Sequence, residues 1–291
     1  MNRRGLLKGA VMGAASLLIR PALSLEVPQD GEARARLAAL ERRHGGRLGV
    51  AVLDTGNGRR IGHRVEERFA MCSTFKLLAA AAVLARVDRG VESLERRVVF
   101  GKDTLVTYSP ATSRRVGAPG MTMAELCHAA ITMSDNTAGN LLLHSLDGPA
   151  GWTAYARSIG DGVSRLDRIE TELNEARPGD PRDTTTPAAM LANLHALLLG
   201  TALSAASREQ LAGWLRANTT GAARLRAGLP PGWRVGDKTG SGDHAVTNDV
   251  AIVWPPQRKP LLVTAYYAES TADADERNAV LADVGRIAAS V

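Results

Sequence analysis

Apolar and polar positions follow one another along this chain with periods that change in blocks, and the blocks define the elements. From Asp30 to His44 apolar residues recur at helical spacing, which predicts an N-terminal helix. Leu48 to Asp54 reads as a strand that runs into Thr55-Gly56-Asn57-Gly58, a strong turn, and Ile61 begins a second strand. Between Phe75 and Val87 the helical pattern has almost no polar face, because Leu77, Leu78, Ala79 to Ala82, Val83 and Leu84 surround it. A helix that is apolar on nearly every side belongs at the centre of a domain. Further helices are predicted at 122–133, 137–145, 187–199 and 207–218. Residues 165–186 are polar, charged and proline-containing, and read as a long irregular loop of the kind that is often functional. After Gly232 the pattern changes to strands at Trp233 to Lys238, Asn248 to Trp254 and Leu261 to Tyr267, and Ala272 to Ser290 closes the chain as a helix. Strands, then a helical block, then strands and a helix describe a sheet domain split by an inserted all-helical domain. The boundaries read as 25–71 with 216–291 for the sheet part and 72–215 for the helical part, the 165–186 loop included.

Composition narrows the partners. The chain is 291 residues long, 45% apolar and 23% charged, which is ordinary for a globular protein and wrong for a disordered one. The formal charge of +6 includes Arg3, Arg4, Lys8 and Arg20, all before Leu25; the rest holds 32 basic and 30 acidic residues, a net of +2. With aromatics at 4%, the signs of nucleic-acid binding are missing, and none is expected. Residues 1–24 read as an export signal, with a basic start, an apolar stretch from Ala10 to Ile19 and small residues at Ala22-Leu23-Ser24. That stretch is too short to span a bilayer, which takes about 20 residues, so no stable membrane association is expected. Arg3-Arg4 followed by Gly5-Leu6-Leu7-Lys8 is similar to a twin-arginine signal, which points to export to the periplasm or beyond the cell.

Two cysteines, Cys72 and Cys127, cannot build a four-thiolate metal site, and six scattered histidines include no His-Glu-x-x-His, so neither metal nor cofactor is expected. Gly236-Asp237-Lys238-Thr239-Gly240 lacks the glycine spacing of a phosphate loop.

Four short motifs fall at the seams between the blocks. Ser73-Thr74-Phe75-Lys76 opens the apolar helix, and residues three apart share a helix face, so the amine reaches the hydroxyl. Apolar surroundings disfavour a charged amine and leave one able to accept a proton. Ser134-Asp135-Asn136 follows the helix at 122–133; Glu170 and Asn174 stand in the long loop; Lys238-Thr239-Gly240 ends a strand. Each alone is ordinary: a helix cap, a capped loop, a charged loop, an edge-strand lysine. Together, and in this order, Ser-x-x-Lys, Ser-Asp-Asn and Lys-Thr-Gly match the signature of serine β-lactamases and penicillin-binding proteins, and here the acidic loop pair joins them.

Over about residues 28–290 the chain resembles a class A serine β-lactamase. Tyr108-Ser109-Pro110, Arg165-Leu166-Asp167-Arg168, Glu172-Leu173-Asn174-Glu175, Arg182-Asp183-Thr184-Thr185 and Gly232-Trp233 extend the likeness. The resemblance implies an α/β (α+β) fold, an antiparallel sheet flanked by helices with the active site at the interface with the helical domain. It implies hydrolysis of small-molecule β-lactams, penicillins and cephalosporins, through a serine acyl-enzyme, conferring antibiotic resistance, by a monomer. Ser73 is then the nucleophile, Lys76 and Glu170 the alternative bases for its attack, and Ser134 the proton relay to the lactam nitrogen. Glu170 with Asn174 holds the hydrolytic water; Asn136 binds the substrate amide carbonyl; Lys238, Thr239 and Ser241 receive its carboxylate; Tyr108 lines the mouth. The amides of Ser73 and Ser241 form the oxyanion hole.

Several positions depart from that family. Thr171 stands where proline is frequent, and Thr247 where many relatives carry a carboxylate-binding arginine, with Arg224 at the substitute position. Cys72 and Cys127 face Gly242 and Ala80 at the positions where some relatives carry the partner cysteines, so two free thiols are expected. A penicillin-binding D,D-peptidase shares Ser73, Lys76, Ser134 and Lys238 but generally lacks the Glu170–Asn174 pair. A serine glutaminase does not account for the Glu170 loop. A non-catalytic β-lactam sensor usually carries membrane segments.

Overall fold

The computed structural model describes residues 29–291, so the export signal read at residues 1–24 lies outside the described residues. In chain order the elements are α1 (Gln29–His44), β1 (Arg47–Asp54), β2 (Arg60–His63), a two-residue β3 (Phe69–Ala70), α2 (Phe75–Asp88), β4 (Arg97–Val98), β5 (Met121–Thr122), α3 (Met123–Thr132) and α4 (Asn136–Ser145). They continue with α5 (Gly148–Ser158), β6 (Thr184–Thr185), α6 (Pro187–Leu198), α7 (Ala205–Arg216), the single turn α8 (Leu225–Gly228), β7 (Arg234–Ser241), β8 (Thr247–Trp254), β9 (Leu261–Ala268) and α9 (Ala274–Ala289).

Five strands form one sheet in the order β2-β1-β9-β8-β7, every neighbouring pair antiparallel. Successive side chains on a strand point to opposite faces. Val250, Ile252, Leu262 and Tyr266 enter the core shared with α2, whereas Ala251, Val253, Leu261 and Val263 enter a second core with Leu37 of α1 and Leu281 and Val284 of α9. Both faces are covered, which is why these strands read as unbroken apolar runs rather than as alternation. The antiparallel sheet flanked by helices expected from the sequence is therefore the fold.

Helix α2 lies at the centre of the helical side, with every residue from Phe75 to Ala85 buried. Each large apolar side chain placed there contributes about 1.5–3 kcal/mol relative to exposure. Its neighbour α4 comes unusually close. A Cβ at Gly139 would stand 2.7 Å from Cε of Lys76, so only glycine lets the two backbones approach over the lysine stem. The sequence pattern missed α5, whose Gly148, Pro149 and Gly151 look like a loop. Proline is tolerated in a first helical turn, where its missing N–H has no partner to lose. The helix is anchored by Trp152, buried with its indole N–H on the Phe75 carbonyl at 3.0 Å.

The 165–186 loop is more ordered than its composition suggests. It contains a 3-10 turn at Glu172–Glu175 and ends in β6, which pairs with β3 through Phe69↔Thr185 and Ala70↔Thr184. Its neck is closed by an Arg168–Asp183 pair, Nε to Oδ2 at 2.6 Å, while Arg168 also reaches Glu175 at 2.6 Å. The other Asp183 oxygen accepts the backbone N–H groups of Asp167 and Arg168 at 2.7 and 2.9 Å. Cys72 and Cys127 are both buried free thiols.

Candidate active site

Ser73 sits in a 3-10 turn, Cys72–Thr74, that leads directly into α2. Three residues around it hold left-handed backbone conformations without being glycine: Cys72 at φ +44°, Ser134 at +57° and Tyr108 at +64°. Such conformations cost on the order of 1–3 kcal/mol each and persist where surrounding bonds enforce them. The enforcing bonds are visible. Asn248 of β8 donates its amide to the carbonyls of Ala70 and Met71 at 2.9 and 3.1 Å, which pins the turn before Ser73. At Gly240 of β7 an added Cβ would stand 2.8 Å from the Met71 carbonyl, so this strand needs glycine to pass over the turn.

Asp135 organises the second wall. It is fully buried and caps α4 by accepting the Ala138 N–H at 2.8 Å. It also accepts the amides of Ala111 and Thr112 and the Thr112 hydroxyl at 2.9, 3.0 and 2.9 Å. The Asn136 N–H donates to the Tyr108 carbonyl at 3.0 Å. One carboxylate thus ties the Tyr108 loop to the Ser134 turn, leaving the Tyr108 ring 57% exposed at the rim.

The chemistry-bearing atoms converge in the seam. Lys76 Nζ lies 2.7 Å from Ser73 Oγ, 2.8 Å from Glu170 Oε1, 2.9 Å from the Ser134 carbonyl and 2.7 Å from Asn136 Oδ1. The Ser73 hydroxyl donates to Glu170 Oε1 at 3.1 Å. Asn174 donates to the other Glu170 oxygen at 2.5 Å. The Glu170 backbone is held on both sides by the Asn140 side chain, at 2.8 Å each. On the far side Lys238 donates to Ser134 Oγ at 2.9 Å and to the Thr239 carbonyl at 2.8 Å.

A cleft of about 410 Å³ opens above these groups. Ser73, Tyr108, Ser134, Asn136, Asn174, Thr239, Ser241 and Arg224 line it, all of them residues singled out in the sequence. Lys76 and Lys238 lie beneath it with no exposed surface, and Glu170 is 2% exposed. Burial holds both lysines below the ordinary lysine range. For Lys238 the shift is large, with repulsion from Lys76 adding to it, while Glu170 opposes the shift of Lys76. Burial, and next the Glu170 charge, push the Cys72 thiol up, so it stays protonated beside the nucleophile and is inert. No group of His, Cys, Asp and Glu among the described residues could hold a metal ion.

Arg224 reaches the cleft from the N-terminus of α8. Nε donates to Asn278 at 3.0 Å, NH1 to the carbonyls of Gly240 and Asn248 at 2.8 and 2.7 Å, and NH2 to Ser241 Oγ at 2.8 Å. Thr247 instead accepts Nε of Arg277 at 3.0 Å. Sequence reasoning missed Asn140, Thr220, Asn248 and Asn278. Only Asn140 had a local signal, because it stands one helical turn beyond Asn136 on the same face of α4.

Comparisons with known proteins agree with this geometry. Residues 32–291 match the model of the Beta-lactamase enzyme family. The chain is 48% identical to Beta-lactamase AST-1 of Nocardia asteroides, over 98% of this chain and 94% of the relative. It is 52% identical to Beta-lactamase FAR-1 of Nocardia farcinica, over 87% and 81%. Among solved structures, a reconstructed ancestral class A β-lactamase of Gram-negative bacteria aligns with a TM-score of 0.87 at 66% identity, covering 89% of this chain and 99% of that one. With a serine, two buried lysines and a loop carboxylate arranged in that fold, the chain belongs to the β-lactamase enzyme family, among its class A serine enzymes.

Proposed function

We propose that the chain hydrolyses the β-lactam ring of penicillins and cephalosporins through an ester on Ser73, with Glu170 as the base that activates the deacylating water. The observation that carries this reading is the three-way contact of Ser73 Oγ, Lys76 Nζ and Glu170 Oε1, with Asn174 on the second Glu170 oxygen.

Attack begins with removal of the Ser73 proton. Both Lys76 and Glu170 stand within reach of it, and depression of the Lys76 pKa by burial keeps a neutral amine accessible. Ser73 Oγ then bonds to the lactam carbonyl carbon, and the carbonyl oxygen takes the negative charge between the amides of Ser73 and Ser241. Collapse breaks the C–N bond. Ser134, which accepts a hydrogen bond from Lys238, keeps its own hydroxyl proton for the departing nitrogen, and the proton taken from Ser73 then restores the Ser134 hydroxyl. Glu170 takes a proton from water as the water oxygen bonds to the ester carbon, the bond from that carbon to Ser73 Oγ breaks, and the proton passes from Glu170 to the released Oγ. Asn136 holds the substrate amide carbonyl; Lys238, Thr239 and Ser241 receive the carboxylate. No metal or cofactor enters any step, and the consequence for a host cell is β-lactam resistance.

The enzyme acts as a monomer outside the cytoplasm, exported by the Arg3-Arg4 signal. Nitrocefin turnover by purified protein, with Ser73→Ala inactive and unlabelled by benzylpenicillin, tests the reaction. A chain that is acylated once and does not turn over would be a sensor or a slow D,D-peptidase, and the reading would fall. Replacement of Arg3 and Arg4 by Lys tests export, since unchanged periplasmic activity would leave the twin-arginine route without support.

A further inference from the structure

Hydrogen-bond direction around the carboxylate site is fixed by a chain of groups that begins far from the cleft. Asp237 is fully buried, and its carboxylate accepts from Arg226 at 2.5 Å and from the side-chain amide of Asn218. A carboxylate can only accept, so the Asn218 NH2 faces Asp237 and its carbonyl oxygen faces the other way. That oxygen takes the backbone N–H of Thr220 at 3.1 Å and the Thr220 hydroxyl at 2.8 Å. Thr220 has one hydroxyl proton, and Asn218 uses it. The oxygen of Thr220 is therefore left as the acceptor in its 2.5 Å contact with the Thr239 hydroxyl. It follows that the Thr239 proton points at Thr220, although Thr239 lines the cleft.

The neighbouring hydroxyl is set the opposite way. Arg224 donates to Ser241 Oγ at 2.8 Å, and a guanidinium has no acceptor. Ser241 therefore keeps its proton for the cleft. Of the two hydroxyls offered to the substrate carboxylate, Ser241 is ready to donate and Thr239 must first leave Thr220.

We propose that Thr220 is a positioning residue that sets affinity for the substrate carboxylate by holding the Thr239 proton out of the cleft. The proposal rests on the reading that the carboxylate is received at Thr239 and Ser241. Its sign is unusual, because removing a polar residue at the rim of the site strengthens substrate binding. Thr220→Val takes away the acceptor that competes with the substrate for the Thr239 proton, while the backbone N–H at 220 still serves Asn218.

The test is steady-state hydrolysis of benzylpenicillin. Thr220→Val should lower KM by about two- to tenfold, the worth of one neutral hydrogen bond, with kcat unchanged. Thr220→Ser, which keeps the acceptor, should have wild-type KM, and Thr220→Ala should move KM as valine does if the valine variant folds poorly. In a Thr239→Val background, Thr220→Val should change nothing, since the two act through one bond. A KM that rises or stays constant in Thr220→Val and Thr220→Ala, or an effect that persists without the Thr239 hydroxyl, overturns the proposal. An unchanged KM in Thr239→Val alone overturns instead the placement of the carboxylate on which it rests.

Discussion

Replacing Glu170 by alanine separates the two halves of the reaction. The side chain has two oxygens with different partners: Oε1 meets Ser73 at 3.1 Å and Lys76 at 2.8 Å, and Oε2 meets Asn174 at 2.5 Å. Acylation survives the change, because Lys76 remains 2.7 Å from Ser73 Oγ and loses the carboxylate that most favours its charged form, with only the weaker influence of Asp135 left. Its neutral, proton-accepting state therefore becomes more populated. Deacylation has no such substitute. A positioned general base contributes about 10²–10⁴-fold, or roughly 3–5 kcal/mol at 1.36 kcal/mol per decade, and kcat should fall by that factor. Stability should survive too. Stripping one partner from a buried ion pair costs about 3–5 kcal/mol when the other stays charged, but Lys76 can release its proton and so limits the loss. Mass spectrometry after mixing with benzylpenicillin should show protein plus one intact penicillin, persisting for minutes or longer. Turnover within tenfold of wild type would refute the assignment of Glu170 to the hydrolytic step. A variant that neither turns over nor acquires the adduct would refute the competence of Lys76 as the base for attack.

Three further outcomes follow from the same geometry. Asp183→Ala removes a buried carboxylate that holds Arg168 and two loop amides, so a melting temperature lowered by several degrees and slower deacylation are expected by calorimetry and by adduct lifetime, and wild-type values of both would show that the neck pairing is idle. Arg224→Ala should reduce kcat/KM about ten- to hundredfold, in keeping with a charge-assisted bond of about 1.5–3 kcal/mol, mainly through KM; a variant that loses stability yet keeps its kinetics would make Arg224 a structural residue. Because burial and Lys76 hold Lys238 well below the ordinary lysine range, KM should rise with pH as Lys238 loses its charge, below the usual value near 10.5, and Lys238→Arg should abolish that rise; a flat KM to pH 10 in the unaltered enzyme would contradict the depressed pKa.

The candidate catalytic groups were legible because the proposed chemistry needs short spacings. Ser73 and Lys76 stand three residues apart across the turn that enters α2, and Glu170 and Asn174 four apart in one loop, so each pair leaves a local mark in the sequence. The groups that hold them in place leave none. Asn248 pins the Ser73 turn from a strand 175 residues further along, and Asn218 and Thr220 act on Thr239 from the segment after α7. Such contacts depend on the register of β7 against β8 and on the approach of that segment to the sheet, which no periodicity encodes. Helix α5 was hidden for a different reason. Its propensity is poor, and burial of Trp152 against α2 decides its conformation.

The two buried lysines look alike in sequence and differ in what answers their charge. Lys76 has Glu170 at 2.8 Å, so its proton can be passed within the site without leaving an isolated charge. Lys238 touches the Ser134 hydroxyl and the Thr239 carbonyl, both neutral, and no carboxylate comes within ion-pairing distance of it among the described residues. Desolvation without a contacting counter-ion is the costly arrangement. That cost favours any anion that can reach the cleft above Lys238, which is where Thr239, Ser241 and Arg224 present their donors. In the proposed mechanism proton transfer accordingly falls to the lysine with an acidic partner and anion recognition to the lysine without one. The same asymmetry explains why Lys238→Arg should preserve binding, since a permanently charged group suffices there. Lys76→Arg should abolish acylation by the amine, because a guanidinium cannot give up its proton near neutral pH.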